Sequence, residues 1–266
     1  MQQPCVIALG FFDGVHIAHA ALLHQTLQVA KEKGILSRVL TFDIHPDTLI
    51  YQHPVKLLNT AEERKLILQS FFHMDHVDFL HFDSDMKSMP WKQFVEHILI
   101  GKYHGCHFVC GYDFTFGKGG LGNAALLQEY CGQSGIGCDV IPKRSHLGSP
   151  VCSTLIREML SDGRFHDARS LLGHPHLFSG TIVSATHLPH ARQYEITLVP
   201  NPNILIPYAG MYQGYITLNG YSHPATLSIP LVFSGICTVL LPDYVDCTAE
   251  TQLSLSLHSR LSDCSE

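Results

Sequence analysis

The chain has 266 residues, 45% hydrophobic and 15% charged, with a formal net charge of −6. That length supplies core for one large domain or two small ones, and the acidic balance argues against a general nucleic-acid or anionic-membrane binder, whose affinity comes from Lys and Arg. No stretch approaches the ~20 apolar residues of a membrane span, and Met1-Gln2-Gln3-Pro4 lacks the basic start of a secretory leader, so a cytoplasmic protein with reduced cysteines is expected.

In chain order, VIALGF (6–11) is an apolar run of strand length. The stretch that follows, GFFDGVHIAHA (10–20), sets two glycines, an aspartate and two histidines between that run and an amphipathic one. As a strand–loop–helix joint it offers the free N–H groups and positive dipole end of a helix N-terminus, where phosphates bind. His16 and His19 would add side-chain donors there. A helix is expected over 20–33, with Leu23, Leu27 and Ala30 at helical spacing and Gly34 as its cap. ILSRVLTF (35–42) reads as a second strand; in TFDIHP (41–46), Pro46 is expected to stop regular structure and His45 to face the same edge.

Thr60 and Glu63 have capping-box spacing ahead of a helix over 61–72. HVDFLHF (76–82) is a third strand and PWKQFVEHILI (90–100) a helix with Pro90 near its first turn. HFVCGYDF (107–114) and GCDVIP (137–142) are two further strands, separated by a helix over 123–133. His104, Cys106, His107 and Cys110 imitate a metal cluster but read as a buried strand carrying small thiols. GKGGLG (117–122) formally matches the dinucleotide fingerprint, with Asp139 downstream, yet it follows the fourth strand rather than the first. VCSTLIREML (151–160) puts Ser153 and Thr154 at a helix start and Arg157 one turn on. That is an oxyanion cradle or, alternatively, an ordinary capped surface helix.

Five strand runs separated by helices imply an open α/β fold with a parallel sheet, whose ligands bind at the carboxyl ends of the strands. Past residue 175 the character changes. Residues 177–266 contain no lysine, and short alternating runs (QYEITLV, MYQGYITL, ATLSIP, CTVLL, TQLSLSLH) are punctuated by Pro and Gly. Asn219-Gly220 is a hairpin-turn signal. The expected domains are 1–175, α/β, and 176–266, a small all-β barrel or sandwich.

Four pieces in order, GFFDGVHIAH, TFDIHP, GYDFTFG and STLIREMLSDGRFHDARSLLG, spread over roughly 5–175, resemble the bacterial FAD synthetases. These are the FMN adenylyltransferase module of bifunctional riboflavin kinase/FMN adenylyltransferase proteins. The resemblance implies a Rossmann-like nucleotidyltransferase domain, Mg²⁺, and conversion of FMN and ATP to FAD and pyrophosphate, with small-molecule substrates and neither nucleic acid nor a membrane as partners. It implies that His16 and His19 meet the ATP phosphates and stabilise the transition state, and that Ser153, Thr154 and Arg157 hold the β- and γ-phosphates. Gly10, Phe11 and Asp13 would shape the nucleotide pocket, His45 and Pro46 would border the flavin, and Asp113 would stand near the metal.

Two departures accompany the resemblance. Ala18 replaces the motif glycine between the histidines, which costs strain if the backbone there is left-handed. IPYAGMYQGYI (206–216) resembles the riboflavin kinase module, but that module's Gly-Arg-x-x-Gly-Phe-Pro-Thr-Ala-Asn loop is missing. Only Glu195, Asp243, Asp246 and Glu250 remain as candidate bases before a tail that looks shortened. A degenerate barrel without kinase activity is expected. The residues also accommodate a flavin or adenine-nucleotide binder without turnover, and a nucleotidyltransferase with another acceptor.

Overall fold

The computed structural model describes residues 3–52, 55–146, 148–189, 193–218, 221–242 and 249–261. Two compact units emerge, Met1–Val55 with Ala61–Val151, and Lys56–Thr60 with Cys152–Glu266.

In the first unit, β1 (Cys5–Leu9) is buried at all five positions. A continuous apolar strand of this kind belongs at the centre of a parallel sheet covered on both faces. Beside it run β2 (Leu36–Phe42) and β4 (Gly105–Gly111), flanked in turn by β3 (His76–Leu80) and β5 (Gly137–Ile141). The order is β3-β2-β1-β4-β5, parallel throughout. Strand order therefore reverses between β1 and β4, which places a crevice at their carboxyl ends. Ile7, Leu9, Phe108 and Cys110 pack with Phe94, Leu99, Leu127 and Cys131, so the supposed metal cluster is a core strand. No group of three metal-ligating side chains occurs among the described residues.

Helix α1 (Ile17–Lys33) packs along β1, β2 and β4 and ends at Gly34, φ 64°, as the cap signal predicts. It starts three residues earlier than its apolar pattern indicates, which draws His19 into the first turn. Helix α2 (Ala61–Ser70) follows, and Trp91–Gln93 continues as a π-helix over Phe94–Lys102. Pro46 begins regular structure rather than stopping it: it opens a short helix, Pro46–Ile50, where its fixed φ and missing N–H cost nothing. The fingerprint glycines have a packing explanation. A Cβ on Gly117 or Gly122 would lie 2.6 or 2.7 Å from Trp91 atoms. They form the close turn before helix α3 (Ala124–Ser134), which Asn123 caps through a 3.0 Å bond from the Leu126 amide.

The second unit holds α4 (Ser153–Ser161), α5 (Phe165–Leu172) and six strands. These are β6 (His176–Leu188), β7 (Gln193–Pro200), β8 (Gly210–Leu218), β9 (Tyr221–Ile229), β10 (Cys237–Leu241) and β11 (Gln252–Leu261). They close an antiparallel barrel in the order β6-β7-β10-β9-β8-β11. Phe178, Ile196, Tyr212, Leu227, Val239 and Leu255 are fully buried in it. Strand β6 is absent from the sequence reading, because Ser179, Gly180 and Thr181 interrupt its alternation. Asn219, Gly220, Asp243 and Asp246 lie outside the described residues; β8 and β9, on either side of the first two, pair antiparallel. Pro224 is tolerated inside β9 because β10 pairs only with Thr226–Ser228.

Residues 56–60 join this unit from far upstream. The Leu57 amide donates to Asn203 O at 2.9 Å, and Leu205 N donates to Leu57 O at 2.8 Å. At the β8–β11 bulge, a Cβ on Gly214 would sit 2.1 Å from the Ser256 carbonyl oxygen. Backbone against backbone cannot yield cheaply. Gly214→Ala is therefore expected to cost on the order of 1–3 kcal/mol, seen as a lower thermal unfolding midpoint; an unchanged midpoint would refute this packing. His176, also in the barrel, is fully buried, and neither ring nitrogen has a hydrogen-bond partner. Burial pushes its pKa down to about 3.

Candidate active site

The loop from β1 to α1 carries unusual backbone. Phe12 (φ 59°), Gly14 (73°) and Val15 (40°) all adopt positive φ. For a buried β-branched valine this is strained, at about 1–3 kcal/mol, and such strain concentrates at functional sites. Its effect is to turn the chain so that His16 becomes the N-cap of α1. His16 Nδ1 accepts from the His19 amide at 3.4 Å, and the two imidazoles stack with centroids 3.7 Å apart and planes 12° apart. Burial pulls the His19 pKa well below its ordinary value, and the neighbouring His16 adds to the effect. The two histidines thus meet a ligand with His19 uncharged, able to donate a hydrogen bond without repelling its neighbour. The Ile17 and Ala18 amides, at the first positions of α1, have no intrahelical acceptor.

A cavity of about 520 Å³ opens at the carboxyl ends of the sheet, with Gly10, Phe11, His19, His45, Pro46 and Asp113 in its wall. Six residues singled out in the sequence are therefore brought together. Leu9, Leu40, Leu80 and Phe94 supply an apolar lining. His16 and Asp13 are buried behind the wall. His45 caps the Pro46–Ile50 helix, its Nδ1 accepting from the Asp47 amide at 3.2 Å, and meets the Phe11 ring edge-on at 4.5 Å. Gly10 leaves room for the Phe12 ring, which a Cβ would approach to 3.1 Å. Asp113, on the loop after β4, is solvent-exposed.

Ser153, Thr154 and Arg157 belong to the other unit. They occupy the first two turns of α4, whose N-cap Cys152 makes no side-chain cap bond. Arg157 Nη2 donates to Thr154 Oγ1 at 3.3 Å, so hydroxyl and guanidinium share one face.

Two residues escape the sequence reading. Arg64, on α2, is fully buried; it donates to Phe11 O at 2.8 Å, Thr41 Oγ1 at 3.2 Å and Phe42 O at 3.0 Å. Asp43 accepts from the Ile44 and Phe82 amides at 2.7 and 3.2 Å and pairs with His81 at 2.7 Å, tying the end of β2 to the chain after β3. Burial is the largest single influence on the Asp43 pKa and raises it, but the His81 pairing and those amides together hold it below the ordinary carboxylate value. The charges of AEERKL suggest a solvated helix face, and no pattern marks Arg64 as the inward one.

An open parallel sheet, a strained loop feeding a helix N-terminus, stacked histidines and an adjacent cavity define a nucleotide-handling α/β enzyme unit. The model of the FAD synthetase family matches residues 1–155, and the chain belongs to that family. A bifunctional riboflavin kinase/FMN adenylyltransferase of Listeria monocytogenes is 30% identical over 227 residues, covering 84% of this chain and 71% of that protein. The protein of the same description from Bacillus subtilis is 27% identical, covering 90% and 72%. An FAD synthetase of Listeria monocytogenes is 31% identical, covering 68% and 73%. Among solved structures, one titled macrolide-efflux protein, from Streptococcus pneumoniae, shares the fold, with TM-score 0.81 and 23% identity over 99% of this chain and 87% of that one.

Proposed function

We propose that this chain transfers AMP from ATP to FMN, giving FAD and pyrophosphate. The observation that carries the reading is the stacked His16–His19 pair at the start of α1, opening beside a cavity at the switch point of the sheet. The FMN phosphate oxygen bonds to the α-phosphorus of ATP, and the bond from that phosphorus to the pyrophosphate oxygen breaks. Such a step asks mainly for two anions in line and for their charge to be met. His19, with the first amides of α1, donates to the phosphate oxygens, and His16 fixes the His19 ring. Gly10, Phe11 and Asp13 form the adenine-nucleotide side, while His45 and Pro46 border the flavin. Arg157, Ser153 and Thr154 are the groups for the β- and γ-phosphates.

Mg²⁺ fits these residues. Two carboxylates in the cavity wall, Asp47 and the exposed Asp113, suit an ion that takes most of its ligands from phosphates and water, with Asp113 the one assigned to it. When bound it neutralises phosphate charge. The setting is the cytoplasm, with small molecules as partners.

The binder-without-turnover alternative rests on Ala18 and on the eroded tail. Ala18 lies in the first turn of α1 and is not among the described residues with positive φ, so its methyl brings no left-handed strain. The kinase step is lost on this reading, for want of the loop motif. The test is chromatography of purified protein with ATP, Mg²⁺ and either FMN or riboflavin. FAD from FMN and no FMN from riboflavin is the expected result. No FAD from FMN would overturn the transferase reading, and FMN from riboflavin would overturn the kinase loss.

A further inference from the structure

We propose that Arg64 is a positioning residue that staples the two walls of the cavity to each other. This rests on the transferase reading for its kinetic part, though not for its structural part. Arg64, on α2, is fully buried. Its Nη1 donates to Phe11 O at 2.8 Å and Thr41 Oγ1 at 3.2 Å, and its Nη2 to Phe42 O at 3.0 Å. Thr41 Oγ1 itself donates to Phe11 O at 2.9 Å, which closes a small ring of bonds. Phe11 begins the loop that turns into His16 and His19; Phe42 leads into His45 and Pro46. One planar fork thus fixes the carbonyl ends of β1 and β2, from which the nucleotide wall and the flavin wall depart.

The aromatic contacts continue the same line. The guanidinium lies 4.3 Å from the Phe11 ring centroid, and Phe11 meets His45 at 4.5 Å. A movement of the fork would pass to both walls together. The Arg64 Nε makes no hydrogen bond, and burial pulls the guanidinium pKa down to about 10 against the opposing charges of Asp13, Asp43 and Glu62, which leaves it charged at neutral pH. Those carboxylates meet the charge, whereas the hydrogen bonds to the Phe11, Phe42 and Asp43 carbonyls and the Thr41 hydroxyl fix backbone positions. These bonds converge on the two segments that must hold reacting groups in line.

Arg64→Lys keeps the charge and removes the fork. In hydrogen exchange by mass spectrometry, amides in 11–19 and 43–51 are expected to exchange faster together, while α3 and β5 stay as in the wild type. In steady-state assays kcat is expected to fall 10- to 100-fold, with the equilibrium affinities for FMN alone and ATP alone within threefold, because alignment rather than either binding event is lost. Thr41→Val, which removes one bond of the ring and no charge, is expected to show the same pattern at lower amplitude; it decides the matter if Arg64→Lys fails to fold. Exchange confined to one wall, or a lower unfolding midpoint with kcat unchanged, would overturn the proposal. If the wild type makes no FAD, the transferase reading fails, and the exchange pattern still decides whether Arg64 staples the walls.

Discussion

His19→Ala is expected to lower kcat for FAD formation by about 100- to 1,000-fold, the range for removing one preorganised donor from a developing phosphate charge. The fold should survive, since His19 stands at the cavity wall and the N-cap bond runs from its backbone amide to His16 Nδ1, which the substitution leaves in place. Arg157→Ala is expected to act differently. It removes a guanidinium that would pair with the β- and γ-phosphates, so kcat/KM for ATP should drop on the order of 100-fold, with KM carrying much of the loss. Full activity in both variants would remove the phosphate roles assigned to them.

The second large effect concerns stability and follows from His176. Its pKa is about 3 in the folded barrel against 6.5 in an exposed chain, so between those values the unfolded state binds the extra proton. Stability is unaffected above about pH 6.5 and is lost as pH falls, by up to about 1.4 kcal/mol per pH unit. Between pH 7.5 and pH 5 the contribution is about 2 kcal/mol. Denaturant unfolding of the wild type and His176→Leu at both pH values isolates it. The variant should lose about 2 kcal/mol less than the wild type on acidification. Parallel losses would mean that His176 finds a partner in solution.

The sheet was legible because its strands are uninterrupted apolar runs and the loops between them carry Gly, Pro and Asp. The β1–α1 joint announced itself through residue types that a plain turn does not need. The start of α1 was misplaced because the apolar pattern begins at Ala20, whereas His16 caps the helix with a side chain that propensity rules do not favour there. Pro46 was read as a stop for the same reason: a proline at the first helical position and a proline after a helix look alike without neighbours. Strand β6 escaped because Gly180 is required where a Cβ would lie 2.4 Å from Val199 O, and small residues erase the alternation. Arg64 was invisible in principle, since its role depends on two carbonyls that meet only in the folded sheet.

The bridge of residues 56–60 to the barrel unit has a consequence for the order in which the chain is made. Leu57 is synthesised within the α/β unit's sequence, yet its backbone partners are Asn203 and Leu205, roughly 150 residues later. At ordinary translation rates of about 5–20 residues per second, that interval is on the order of ten seconds. Through it the nascent chain carries an open backbone segment, so the last tie in that stretch is made only after about the first half of the second unit has left the ribosome.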